Sequence, residues 1–131
     1  MKVNKTVLIV TDGSEETEKM AEGIASALKG NKVTVKTGYE FLGNDLLPAE
    51  VFLLGCQEPG HDSFDYLSDL LKHINLAGRL CGVFTPKSKK TARYLAGLVH
   101  DSEITLNPVP LFSASAAVVK RWAMKVVSGP R

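Results

Sequence analysis

The chain has 131 residues, which is enough for one ordinary domain and leaves little for a second, so we expect a single domain over residues 1–131. A net charge of +2 gives no reason to expect nucleic acid or a membrane surface as a partner, and every apolar run is too short to span a bilayer. The cysteines, Cys56 and Cys81, have no metal-ligand spacing, and the first residues lack the cleavage site of a signal peptide. These features favour a cytoplasmic protein with reduced thiols.

The first part of the chain alternates between strand and helix patterns. Residues 6–11 form a continuous apolar, β-branched run, which is typical of a strand buried on both faces. A helix is predicted next, with Ser14 as its N-cap and Gly30 just past its end. Its apolar face consists of Met20, Ala21, Ile24, Ala25 and Leu28. Residues 33–37 alternate in polarity and predict a more exposed second strand, before an irregular stretch at 38–48 with room for one short helical turn.

The middle of the chain repeats this pattern. Buried strands are predicted at residues 49–56 and 80–85. The helix between them is expected to be capped by Asp62 or Ser63 and to end at Gly78. Its apolar face consists of Phe64, Leu67, Leu70, Leu71 and Ile74.

The last third completes the alternation. A helix after residue 90 turns Leu95, Leu98 and Val99 inward, and a last strand is predicted at 103–106, where Pro108 and Pro110 then interrupt it. A final helix runs from about Ser113, and residues 128–131 form a tail. The core face of that helix consists of Val119, Trp122, Ala123, Val126 and Val127. Alternating strands and helices predict an α/β domain with a parallel sheet covered on both faces.

Residues 17–25, with the sequence TEKMAEGIA, resemble the start of the first helix of flavodoxins, which follows a Ser/Thr/Gly-rich loop closed by a threonine. Residues 53–56 are similar to the end of the family's third strand, residues 77–84 are similar to its fourth strand, and residues 105–111 lie where the family has its last strand. The resemblance covers nearly the whole chain. It implies a three-layer α/β/α sandwich with a five-stranded parallel sheet in the order 2-1-3-4-5. It also implies FMN as cofactor, low-potential electron transfer as activity, and a redox partner protein.

By this resemblance, three loops after strands one, three and four build the FMN site. The implied cofactor-binding residues are Thr11, Asp12, Gly13, Ser14, Glu15, Glu16 and Thr17 of the first loop, Cys56 and Gln57 of the second, and Thr85, Pro86 and Lys87 of the third. The first loop has the family's length and offers hydroxyls just ahead of a helix N-terminus, which is what a phosphate needs.

Carboxylates in the first loop work against a phosphate. Asp12, Glu15 and Glu16 stand where the family favours Ser, Gly and Asn, and each would repel a phosphate placed nearby. Glu15 also replaces a glycine that frees the backbone turn, so we expect Glu15→Gly to tighten FMN binding. In the alternative interpretation, Ser14 caps the helix, and the two glutamates complement its dipole.

The two later loops, residues 57–61 and 86–90, contain no Tyr, Trp or Phe to stack on a flavin ring, although His61 offers one flat side chain.

Two hypotheses follow: an FMN-binding electron carrier, or a flavin-free binding or interaction module that has lost the ring site. An NAD(P)H-dependent flavin or quinone reductase is a weaker third idea, because no nicotinamide signature is present. A response-regulator receiver would need an aspartate where this chain has Cys56.

Several residues in the three loops, or outside them, also have candidate roles. The basic cluster of Lys87, Lys89, Lys90 and Arg93 either attracts an acidic partner or forms an ordinary solvated surface. Cys56 lacks the small flanking residues of a nucleophile elbow, so a nucleophilic role is not favoured. Cys81 and Trp122 are predicted to be core residues.

Overall fold

Strands and helices alternate along the computed structural model of the chain, which describes residues 5–113 and 115–129. The strands are β1 (Thr6–Thr11), β2 (Lys32–Thr37), β3 (Val51–Gly55), β4 (Leu80–Phe84) and β5 (Thr105–Leu106). The helices are α1 (Glu15–Ala27), α2 (Gly43–Leu46), α3 (Asp65–Leu71), α4 (Lys89–Leu98) and α5 (Ala116–Ser128). Short 3₁₀ turns lie at Asp62–Phe64 and His100–Ser102. The predicted element order is confirmed, and α2 is the short helical turn expected between the second and third strands.

The sheet has the order β2-β1-β3-β4-β5, and each neighbouring pair is parallel. The predicted fold class, a five-stranded 2-1-3-4-5 sheet between two helical layers, is therefore confirmed. All of β3 is buried, and so is β1 from Val7 onward, as their apolar runs predict. β2 is an edge strand with exposed and half-buried residues only, which agrees with its alternating sequence.

Each face of the sheet has its own apolar core. One core, around Ile9, Ile24 and Trp122, joins the sheet to α1 and α5. The other, around Phe52, Leu67 and Leu95, joins it to α3 and α4. Cys81 and Trp122 are both buried, as predicted. These two layers fix the strands so that the ends of β1, β3 and β4 present their loops on one edge of the sheet.

The helix after β3 differs from the prediction at both ends. Its N-cap is neither Asp62 nor Ser63. His61 caps the preceding 3₁₀ turn, and its Nδ1 accepts a hydrogen bond from the Ser63 amide at 3.2 Å. α3 ends at Leu71, because the chain then turns to bring Leu76 into the core, and Gly78 lies beyond, in a turn with φ +86°. Gly78 therefore lies in a later turn and does not end α3.

The end of the chain also differs in its boundaries. β5 has two residues rather than four, since Glu103 takes a left-handed φ of +67° that an extended strand does not allow. α5 starts at Ala116, where the Ser115 hydroxyl accepts from the Val118 amide at 3.4 Å, and not at Ser113. Ser128 belongs to α5 rather than to a tail, while residues 130–131 lie outside the described residues. No helix within the described residues is long and apolar enough to cross a bilayer.

Candidate functional site

Three loops meet at the carboxyl edge of the sheet, where the strand order reverses between β1 and β3. They comprise residues 11–17, 56–61 and 85–88, and they follow β1, β3 and β4. In open parallel sheets such a reversal leaves a crevice, because the connections on its two sides run to opposite faces. All three predicted loops therefore lie at one edge of the fold.

The first loop turns sharply into α1. Gly13 takes φ +82°, a backbone conformation that glycine adopts without strain, and its amide donates to Thr11 Oγ1 at 3.2 Å. Ser14 stands at the N-cap position, but its hydroxyl accepts no bond from the helix amides. It donates instead to Asp12 Oδ1 at 2.8 Å, and the Thr17 hydroxyl, 2.7 Å away, donates to Ser14 Oγ. The expected capping bond is therefore absent, because Asp12 and Thr17 engage the hydroxyl.

Asp12 is the buried carboxylate of this loop, with 6% of its surface exposed. One carboxylate oxygen accepts from the Ser14 amide at 3.0 Å as well as from the Ser14 hydroxyl. The other accepts from the Gln57 amide at 2.9 Å. Hydrogen-bond donors from two of the loops are therefore already bonded to a carboxylate. An anionic ligand at this edge would use the same donors.

The three glutamates at the start of α1 point in different directions. Glu15 is 85% exposed and lies 3.8 Å from Lys19 Nζ, one helical turn along α1. Glu16 accepts from the side-chain amide of Gln57 at 3.0 Å, and Glu18 accepts from the Thr11 hydroxyl. Glu15 has no positive φ, so the glycine-like turn of this loop is at Gly13. Acidic side chains in the first turn also complement the helix dipole.

Gln57 joins the loops together. Its backbone amide donates to Asp12 and its side-chain amide donates to Glu16, both in the first loop. Its backbone carbonyl accepts from the Thr91 hydroxyl of α4 at 3.3 Å. These bonds connect α1 to α4 through Gln57, so the loop edge is a connected polar network.

Cys56 lies at the end of β3 with its side chain in the core. Burial, together with the nearby carboxylates of Asp12 and Glu58, raises the pKa of its thiol to about 12. A thiol with that pKa stays protonated near neutral pH and is a poor nucleophile. The side chain of Cys56 is not accessible to a ligand, in contrast to the half-buried Gln57 beside it.

The third loop is formed by Thr85, Pro86 and Lys87. Thr85 is buried, and its hydroxyl accepts from the Lys87 amide at 3.1 Å. Ser88 then caps α4, where it accepts from the Thr91 amide at 3.5 Å. The side chains of Lys87, Lys89, Lys90 and Arg93 are all exposed, and no ion pair within the described residues engages them.

An aromatic side chain at this edge comes from the loop after β2, which is not among the three loops that the flavodoxin resemblance implies. Tyr39 follows β2, is 67% exposed, and lies 6.4 Å from the His61 ring, centroid to centroid. Its hydroxyl donates to Asp62, which raises the pKa of Tyr39. The position of this aromatic residue just after a predicted strand was the sequence signal that could have identified it as a residue of this edge. His61 itself is partly occupied as a cap, with its Nδ1 2.8 Å from Ser63 Oγ.

Solved flavodoxin structures superpose on nearly the whole chain. Flavodoxin 2 from Bacillus cereus aligns with a TM-score of 0.80 at 17% identity, over 94% of this chain and 98% of its own. The fold is that of the flavodoxins. A short-chain flavodoxin associated with a non-canonical PDU bacterial microcompartment aligns with a TM-score of 0.79 at 13% identity, over 96% of this chain and 98% of its own.

The flavodoxin of Fusobacterium nucleatum bound to flavin mononucleotide has the same fold, with a TM-score of 0.73 at 12% identity over 95% of this chain and 98% of its own. No protein-family model and no curated protein sequence matches the chain. Beyond the short segments that resemble flavodoxins in sequence, the likeness rests on three-dimensional structure, and at these identities it shows the fold.

Proposed function

We propose that the chain is an FMN-binding electron carrier whose phosphate site is the N-terminus of α1. One observation carries the proposal. The amides of Glu15, Glu16 and Thr17 open a 13-residue helix at the strand-order reversal and donate to no acceptor within the described residues. Unpaired amides and the helix dipole at such a position favour an anionic group. The FMN-bound flavodoxin of the same fold supports the choice of ligand.

The residues around these amides fit a phosphate in part. The hydroxyls of Ser14 and Thr17 lie beside the helix start, and a bound phosphate would compete with Asp12 for the Ser14 proton. The loops at Gln57 and Pro86 would flank the flavin ring, with Tyr39 and His61 at the outer end of the second loop. A bound flavin would supply reversible electron uptake, and the chain's own residues would hold it and shield it from water.

The test is a titration of the purified apoprotein with FMN. We expect quenching of flavin fluorescence with micromolar or tighter affinity, and a raised melting temperature. FMN at 100 times its Kd would add about 2.7 kcal/mol to the free energy of unfolding. Riboflavin serves as the matched control, because it lacks the phosphate. The proposal fails if FMN neither loses fluorescence nor shifts the melting temperature at concentrations far above micromolar.

Asp12 favours a second candidate, a flavin-free binding or interaction module. Its carboxylate already accepts from the Ser14 amide, the Ser14 hydroxyl and the Gln57 amide, so these donors are satisfied without a ligand. A phosphate at α1 would also meet the repulsion of that negative charge. This candidate predicts a colourless protein whose melting temperature does not respond to FMN, which is the opposite outcome of the same titration.

A further inference from the structure

Two apolar grooves lie on either side of the loop that follows β5. The α5 groove, about 1090 Å³ in volume, is bounded by this loop and by α5, including Val109, Val118, Trp122 and Met124. The α4 groove, about 320 Å³, lies between the same loop and α4, along Ala92 and Ala96. Leu106, Asn107, Pro108, Pro110 and Phe112 line both grooves. The loop is therefore a ridge with an apolar channel on each side.

Apolar side chains remain open to solvent on the α5 side of this ridge. Val109 is 62% exposed, Met124 is 48% exposed and Val118 is 38% exposed. A shared apolar surface at one sheet edge is typical of a site that binds another protein.

Among the described residues that line the grooves, every charged side chain is a cation. Arg121 and Lys125 line the α5 groove, and Lys89 and Arg93 line the α4 groove, with no carboxylate among the described residues that line either. The sequence shows the same asymmetry, since no Asp or Glu occurs after Glu103. A surface that is apolar along its floor and cationic along its rim complements a partner that is apolar and acidic.

From this complementarity we propose that the β5 edge binds an acidic, partly apolar segment of a partner protein. A second copy of this chain is a poorer match, because a twofold contact between identical surfaces would set cation against cation. Pairing with a partner strand is limited to Thr105 and Leu106, since β5 has only these two residues and Pro108 and Pro110 beyond it donate no backbone hydrogen bonds. Recognition therefore depends on side-chain contacts in the grooves and on charge. It does not require that flavin binds.

The test uses the full chain and a fluorescein-labelled peptide in which glutamate alternates with leucine, with a lysine-for-glutamate peptide as its control. We expect the acidic peptide to bind at least about tenfold more tightly than the basic one, and salt to weaken it. NMR amide shifts should centre on residues of the two grooves, such as Leu106, Phe112 and Met124.

A matched pair of variants tests the charges. Arg121→Glu with Lys125→Glu should reduce affinity by about tenfold or more, whereas Lys29→Glu with Lys72→Glu, the same charge change on exposed residues outside the grooves, should leave it within about twofold. Circular dichroism checks that both fold. Equal binding of the two peptides, equal loss in both variants, or amide shifts outside the grooves would overturn the proposal. So would sedimentation showing a dimer through these grooves, because the occupant would then be a second copy.

Discussion

At the scale of single residues, the charge of Asp12 controls how strongly the first loop can bind an anion. We expect Asp12→Ser to tighten FMN binding by about tenfold, or roughly 1.4 kcal/mol, because a buried negative charge is removed beside the phosphate position. The same change leaves the Gln57 amide without its acceptor, so the free energy of unfolding should fall by about 1–3 kcal/mol. FMN titration and urea unfolding measure the two effects.

Glu15 provides the matched control for Asp12. The sequence made Glu15→Gly the expected route to tighter binding, but this side chain is 85% exposed and directed along α1 toward Lys19. Glu15→Gln should therefore change FMN affinity by less than about twofold, since an exposed charge is well screened. A larger gain from Glu15→Gln than from Asp12→Ser would mean that Asp12 is not the controlling charge.

At the scale of elements, the packing of α5 on β4 depends on Gly82. A Cβ added there would lie 2.9 Å from Trp122 Cζ2 and 3.1 Å from Val126 Cγ2, both within the core. We expect Gly82→Ala to lower the free energy of unfolding by about 1–3 kcal/mol, because the overpacked ring must move. Urea denaturation followed by circular dichroism gives the value.

Gly23 is the control for that substitution. It lies on the exposed side of α1, and a Cβ there would meet nothing within 4 Å. Gly23→Ala should raise stability by up to about 1 kcal/mol through helix propensity alone. If both substitutions had the same sign, the contact between β4 and α5 would not be the cause of the Gly82 effect.

At the scale of the whole molecule, two buried thiols make stability depend on alkaline pH. Burial raises the pKa of Cys81 from 9.0 to about 12, and burial with nearby carboxylates raises that of Cys56 equally. Above pH 9 the unfolded chain loses these protons while the folded chain keeps them, so folding loses stability as pH rises toward 12. Each thiol contributes a slope of up to about 1.4 kcal/mol per pH unit.

Urea unfolding at pH 8, 9 and 10 measures this slope. Replacement of both Cys56 and Cys81 by Ala lowers stability at every pH, since core volume is lost, but should flatten the profile above pH 9. Tyr39, whose pKa is also raised, is present in both proteins and cancels in the comparison. The pKa of Tyr94 is raised first by burial, which both proteins share, and to a smaller extent by the charge of Cys56, so this smaller part is removed together with the thiol. Parallel profiles would show that the thiols do not titrate differently on folding.

The order and type of the elements were available from the sequence, because burial periodicity and turn residues are local properties of the chain. The apolar runs of β1 and β3, the alternation of β2 and the core face of α5 all predicted their structural environments. The ends of helices were harder to predict from the sequence. α3 stops at Leu71 because Leu76 must reach the core, and the position of Gly78 alone does not indicate this earlier end. The flavodoxin resemblance supplied the strand order that periodicity alone leaves open.

Only the tertiary structure decided what the first loop does with its charges. Asp12 and Gln57 are 45 residues apart and meet because β1 and β3 pair in parallel, whereas Glu15 turns outward along its helix. The same applies to Tyr39, brought beside His61 by the packing of the loops after β2 and β3. Sequence spacing identifies which groups an edge contains. Side-chain direction and contacts between distant segments determine which of them face a ligand.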